Sequence, residues 1–158
     1  MFTIIWDFRA RESSCRDISK SAIRSAFLPG LFNQNLRERL TRGIDYFNRE
    51  YFFEAHDEIE ELWMDARNAV ERNLFHGLVN LATGFYHFRM HNFAGMQSQL
   101  KKGVDKLSQL PGRCYGIEVE ELLQRVRLYI RTPAQPAVFP EPLPQIEFHP
   151  EEIPEHFS

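Results

Sequence analysis

Glu50-Tyr-Phe-Phe-Glu-Ala-His-Asp-Glu-Ile-Glu-Glu-Leu-Trp63 carries two stripes when it is laid on a helix. Phe52, Ala55, Ile59, Leu62 and Ala66 recur at alternating steps of three and four, the pattern of a helix that turns one face to a core. Beside them His56, Glu60 and Trp63 follow at steps of four and three, so an imidazole, a carboxylate and an indole share one patch. The first stripe makes the segment a bundle helix. The second makes it a candidate site.

Working outward, Leu36, Leu40, Ile44 and Phe47 predict a preceding helix of about three turns, with Asn35 as its cap. After a polar connector at Arg67-Asn68, the apolar residues of 70–90 surround almost the whole circumference of a helix, as expected at the centre of a bundle. One polar line interrupts them: His76, Asn80, Thr83 and His87. Gly77 and Gly84 on the same helix cost about 1 kcal/mol each against Ala, tolerable where another backbone or a ligand comes close. Asn92 caps a further helix carrying Phe93, Met96, Leu100, Val104 and Leu107, which Pro111-Gly112 ends. A last helix is expected over 117–131, and no stretch reads as a strand. Seven of the nine prolines then fall between Pro133 and Pro154, which rules out a helix there. Val138, Phe139, Leu143, Ile146 and Phe148 suit an extended strap over the bundle. The expected fold is all-α: a single helical bundle of about five helices with an extended Pro-rich C-terminal tail. Its divisions are an N-terminal extension 1–32, a bundle domain 33–132 and the tail 133–158.

A chain of 158 residues suffices for one domain that buries roughly 70% of its unfolded surface. Its 43% hydrophobic and 26% charged residues are those of a globular protein, and a net charge of -3 argues against a nucleic-acid binder. Residues 50–61 hold six acids, whereas Lys101, Lys102, Lys106, Arg113, Arg125, Arg127 and Arg131 come later. Such an imbalance fits solvated helix faces of opposite sign, or a weak docking surface. Cys15 and Cys114 form no ligand pair and no disulfide framework, so a reducing, cytoplasmic setting is expected. Arg and Ser enrichment in residues 1–30 offers organelle import as an alternative, against which stand Asp7, Glu12 and Asp17. No apolar run reaches the roughly 20 residues of a membrane span. The expected partner is a small molecule or a protein, with neither nucleic acid nor membrane involved; composition says nothing of oligomeric state.

Folding 50–66 and 70–90 into an antiparallel hairpin that closes near residue 69 puts Trp63 opposite His76 and Glu60 opposite Asn80. His56 then lies beside Thr83, Gly84 and His87. Three readings of this pocket stand side by side. It is a structural polar network that fixes helix register. It is a metal site, with His56, Glu60 and His87 as ligands for zinc, iron or manganese. Or it is a metal-free acid/base site in which Glu60 orients His56 as a general base, although no nucleophile accompanies them. The repeated Glu-x-x-His of di-metal bundles and the His-Glu-x-x-His of zinc peptidases are both missing. The functional expectation is a hydrolase- or lyase-type site worked by His56 and Glu60, with Trp63, His76, Asn80, Thr83 and His87 lining the pocket. The alternative is a non-enzymatic binding or interaction module.

The segments Tyr51-Phe52-Phe53-Glu54-Ala55-His56, Glu60-Glu61-Leu62-Trp63, Phe75-His76-Gly77-Leu78-Val79-Asn80-Leu81-Ala82, Tyr86-His87 and Asn92-Phe93-Ala94-Gly95, in that order, resemble domain-of-unknown-function family 309. That family is recognised by His-x-x-x-Glu-x-x-Trp, matched by His56, Glu60 and Trp63, and the resemblance covers about residues 43–110. It implies a small all-α bundle and a functionally important motif, with no established reaction. The chain departs from the family pattern at His76 and Asn80, where Gln is usual, which bears on the ligand if those positions shape the pocket.

Overall fold

The computed structural model describes residues 29–131, 139 and 141–154, with side chains from Leu36 onward. The import-like features of residues 1–28, Cys15 among them, lie outside the described residues. Among the described residues, five helices form the bundle: α1 (Pro29–Asn48), α2 (Phe52–Met64), α3 (Ala69–Arg89), α4 (Phe93–Leu107) and α5 (Val119–Arg131). A two-stranded antiparallel hairpin, β1 (Arg113–Cys114) and β2 (Ile117–Glu118), joins α4 to α5.

Helix α1 starts six residues before the cap expected at Asn35, which lies in its interior. Its Leu36, Leu40, Ile44 and Phe47 are all buried. On α2 the buried residues are Phe52, Ala55, Ile59 and Leu62, the stripe read from the sequence, together with His56. Helix α3 is the hub and packs along both α2 and α4. Leu74, Phe75, Leu78, Val79, Leu81, Ala82 and Phe85, spread around it, are buried. Each of these side chains but that of Ala82 contributes about 1.5–3 kcal/mol by leaving water. Asn68 caps α3 by accepting from Glu71 N at 2.9 Å, and Asn92 caps α4 by accepting from Gly95 N at 3.0 Å.

The hairpin corrects the expectation that no stretch forms a strand and that the last helix begins at 117: Ile117 and Glu118 form β2, and α5 begins at Val119. Tyr115 (φ 51°) and Gly116 (φ 75°) form a two-residue turn with both φ positive, the geometry of a tight β-hairpin. A Cβ on Gly116 would sit 2.1 Å from the His149 carbonyl oxygen, so only glycine fits. The carbonyl carbon of the same residue, His149, belongs to the tail, which pairs with this hairpin through an antiparallel bridge between Ile117 and Phe148. Leu143, Ile146 and Ile153 of the tail are buried against the bundle. No helix among the described residues is long and apolar enough to cross a membrane.

Candidate functional site

His56 is 5% exposed although it sits on the flank of the apolar stripe of α2. Its Nδ1 lies 3.2 Å from Asp57 Oδ1 and 4.0 Å from Glu60 Oε2. One ligand atom from each of His56, Asp57 and Glu60 falls within 4.8 Å of the others, close enough for one metal ion. Two donors that each bind an ion at about 2.0–2.2 Å stand roughly 3 to 4.4 Å apart, so the separations from the imidazole fit shared coordination. Imidazole with two carboxylates suits zinc, iron or manganese. Asp57 holds the place in this set that the sequence reading gave to His87.

His87 sits near the end of α3, where its Nδ1 lies 3.3 Å from Asn92 Nδ2 and its ring meets Tyr86 edge-on. Burial lowers its pKa below the usual imidazole value. The hairpin register holds at Trp63 and His76, whose rings stack at 3.9 Å and 21°. His76 also has a lowered pKa, through burial first and the nearby Lys106 ammonium second. Further along, the polar line turns to α4 and to its own helix. Asn80 donates from Nδ2 to Gln99 Oε1 at 3.1 Å, and Thr83 donates its hydroxyl back to the Val79 carbonyl at 2.9 Å. The seam of α3 therefore serves two neighbours, where helical spacing had suggested one.

Gly77 and Gly84 also face α4. A Cβ on Gly77 would meet Leu107 Cγ at 2.6 Å and one on Gly84 would meet Leu100 Cδ2 at 2.7 Å. Their close neighbour is a helix, one of the two possibilities raised by the sequence.

Two buried charges escaped the sequence reading. Arg39 of α1, 5% exposed, donates to Glu61 at 3.0 Å and to Asp65 at 3.1 Å. Arg42 pairs with Glu58 at 3.0 Å, so part of the acidic surface of α2 is answered by α1. Glu71, 2% exposed, accepts from Arg67 N at 2.9 Å and from the Tyr115 hydroxyl at 3.0 Å, which ties the β-turn to α3. Burial, with Glu71 beside it, pushes the Tyr115 phenol up to about 12, so it stays a donor. Arg39, ion-paired with two carboxylates, and Glu71, hydrogen-bonded through both of its oxygens, are read as register devices. The thiol of Cys114 is buried and its pKa raised by that burial, which disfavours the thiolate.

No curated protein matches the chain. Residues 40–99, the stretch that carries His56, Asp57, Glu60, Trp63, His76, Asn80, Thr83, His87 and Gln99, match the model of the family described as Domain of unknown function (DUF309).

Proposed function

We propose that α2 carries a divalent-metal site formed by His56, Asp57 and Glu60, and that it works as a hydrolase- or lyase-type site for a small molecule. The observation that carries this reading is the gathering of one imidazole nitrogen and two carboxylate oxygens within 4.8 Å, with the imidazole buried. A divalent ion there would supply Lewis-acid polarisation of a carbonyl or phosphoryl oxygen. The chain's own groups do the rest. Asp57, with its side chain 59% exposed, opens the set toward solvent and substrate. Glu60, 20% exposed, supplies the second carboxylate ligand. Trp63, stacked on His76, forms one flat wall.

A non-enzymatic module is the second reading, favoured by the partners already present within the chain: Asp57 for His56, Asn92 for His87, Gln99 for Asn80 and the Val79 carbonyl for Thr83. Elemental analysis of protein purified without an affinity tag, followed by manganese and zinc titration, separates the two. Wild type should hold one equivalent; His56→Ala and Glu60→Gln should lose it while keeping the helical circular dichroism spectrum, and His87→Ala should keep it. Absence of metal binding in wild type, with loss of stability of about 1–3 kcal/mol in His56→Ala, would leave the structural reading.

A further inference from the structure

Phe139 is the first described residue of the tail, and its ring sits in a socket built by three helices. Phe93 of α4 and Tyr129 of α5 lie roughly parallel to it, at 5.2 Å and 21° and at 5.9 Å and 6°. Phe88 of α3 meets it edge-on at 5.2 Å and 83°. The socket rings also hold one another: Phe88 meets Phe93 at 5.9 Å and Tyr129 at 5.8 Å, edge-on in both pairs. Phe85 backs Tyr129 edge-on at 5.2 Å, and that tyrosine is 1% exposed. The walls therefore rest on helix packing and not only on the ring they enclose.

The enclosed ring is held differently. From Ile146 onward the tail is pinned through its backbone: Ile146 pairs with the Asn48 amide, Glu118 N donates to Glu147 O, and His149 N donates to Gly116 O. Among the described residues, no backbone hydrogen bond holds Phe139, Glu141 or Leu143, and Pro142 and Pro144 have no N–H to offer. Phe139, half-buried, is thus secured by its side chain, whereas Leu143 beyond it is buried and the tail after that is hydrogen-bonded. A braced socket whose occupant can withdraw while the rest of the segment stays pinned is a binding site closed from within. We propose that Phe88, Phe93 and Tyr129 form a binding site for one uncharged, planar aromatic ring, and that Phe139 fills it in cis until such a ligand displaces it. Parallel-offset and edge-on contacts are those that favour an aromatic ring over a saturated one. The benzyl group of Phe139 sets the size of the ligand. Its lack of charge follows from the rim: among the described residues the cation set over these rings is Arg89, 5.7 Å from the Phe88 centroid, and Glu50 already pairs with it. The site shares no residue with the His56, Asp57 and Glu60 set and does not depend on an ion there.

The probes are benzyl alcohol and cyclohexylmethanol, which carry the same hydroxymethyl group on a planar and on a puckered ring, titrated into the full chain in buffer stripped of divalent ions. The readout is NMR of the Phe and Tyr ring signals. Expected is saturable binding of benzyl alcohol to wild type, with shifts of the Phe93 and Tyr129 rings and movement of the Phe139 signal toward that of a solvated phenylalanine. Cyclohexylmethanol should bind about threefold more weakly or worse, the effect of one lost ring pair. Phe139→Ala, checked by its helical circular dichroism spectrum, should bind benzyl alcohol about tenfold tighter or more, because a site that is closed most of the time loses affinity by the fraction of time it is open. No saturable binding to wild type, equal affinity for the two alcohols, a saturated complex in which the Phe139 signal has not moved, or equal affinity in wild type and Phe139→Ala would each overturn the proposal. The wild-type measurements need no variant to fold. Because no divalent ion is present, the outcome is separate from that of the metal titration.

Discussion

His76 and His87 show how a single residue ties this fold to pH. Both have folded-state pKa values below the ordinary imidazole value of 6.5, His76 through burial and Lys106, His87 through burial. The unfolded chain therefore binds more protons than the folded one in the window below 6.5, so stability is complete above that value and declines as pH falls through it. Thermal melts from about pH 7.5 down to about pH 5.5, above the usual carboxylate range, should show a falling midpoint in wild type and a smaller fall in His76→Gln. An equal fall in both would show that His76 does not contribute. At this scale the sequence told a good deal. Steps of four and three placed Trp63 on His76 and put His56 beside a core stripe, because side chains one turn apart share a helix face. Asp57 was passed over because a wheel sets it about 100° from His56, and a wheel treats side chains as spokes, whereas real ones bend toward a common point. Gln99 was missed for another reason: periodicity names a face, and two helices compete for the face on which Asn80 lies.

Among the elements, α3 and α4 are held close by the absence of side chains. Gly77, Gly84 and Gly103 are met by Leu107, Leu100 and Leu81 respectively, at 2.6 to 2.7 Å from where a Cβ would stand. Gly84→Ala gains about 1 kcal/mol of helix propensity but forces Leu100 aside, and overpacking of this kind costs about 1–3 kcal/mol. The clash is with a side chain, although Met96 O also lies 3.3 Å away, so the expected net loss is about 1 kcal/mol by urea denaturation. Leu100→Ala alone leaves a cavity and should cost about 2–5 kcal/mol. The double variant should be less destabilised than the sum, because alanine at 84 partly refills that space; additivity would show that the two positions do not touch. Helix existence and type were legible because apolar residues repeat over many turns. The β1–β2 hairpin was not, since strands of two residues cannot display an alternation, and its only signal was the Tyr115-Gly116 pair between Cys114 and Ile117. Nor was the true start of α1 at Pro29 legible, because Asn35 mimics a cap in the middle of a helix.

Across the whole molecule the tail makes distant elements depend on one another. Asn48, at the end of α1, donates from Nδ2 to the Ile146 carbonyl at 2.9 Å and accepts from the Ile146 N–H at 2.7 Å. One side chain thus pairs with a backbone as a neighbouring strand would. The tail needs such a clamp because its prolines remove the donors on which a regular element would rely. The composition of the tail and its scattered Leu143, Ile146 and Phe148 foretold an extended segment. That Asn48 would be its anchor was not legible, because the two positions are 98 residues apart and neither bears a pattern. Further up, Phe139 packs flat against Phe93 at 5.2 Å and Tyr129 at 5.9 Å, and Glu118 N donates to Glu147 O at 3.1 Å. Asn48→Ala would orphan both Ile146 groups and should cost about 1–3 kcal/mol in urea denaturation. Asn48→Asp keeps the acceptor for the Ile146 N–H but brings a carboxylate against the carbonyl, so it should fall no better than alanine. Limited proteolysis should then cut both variants between α5 and Ile146 faster than wild type, with the bundle fragment surviving. Equal cleavage rates in wild type and Asn48→Ala would mean that burial of Leu143, Ile146 and Ile153 holds the strap without the clamp.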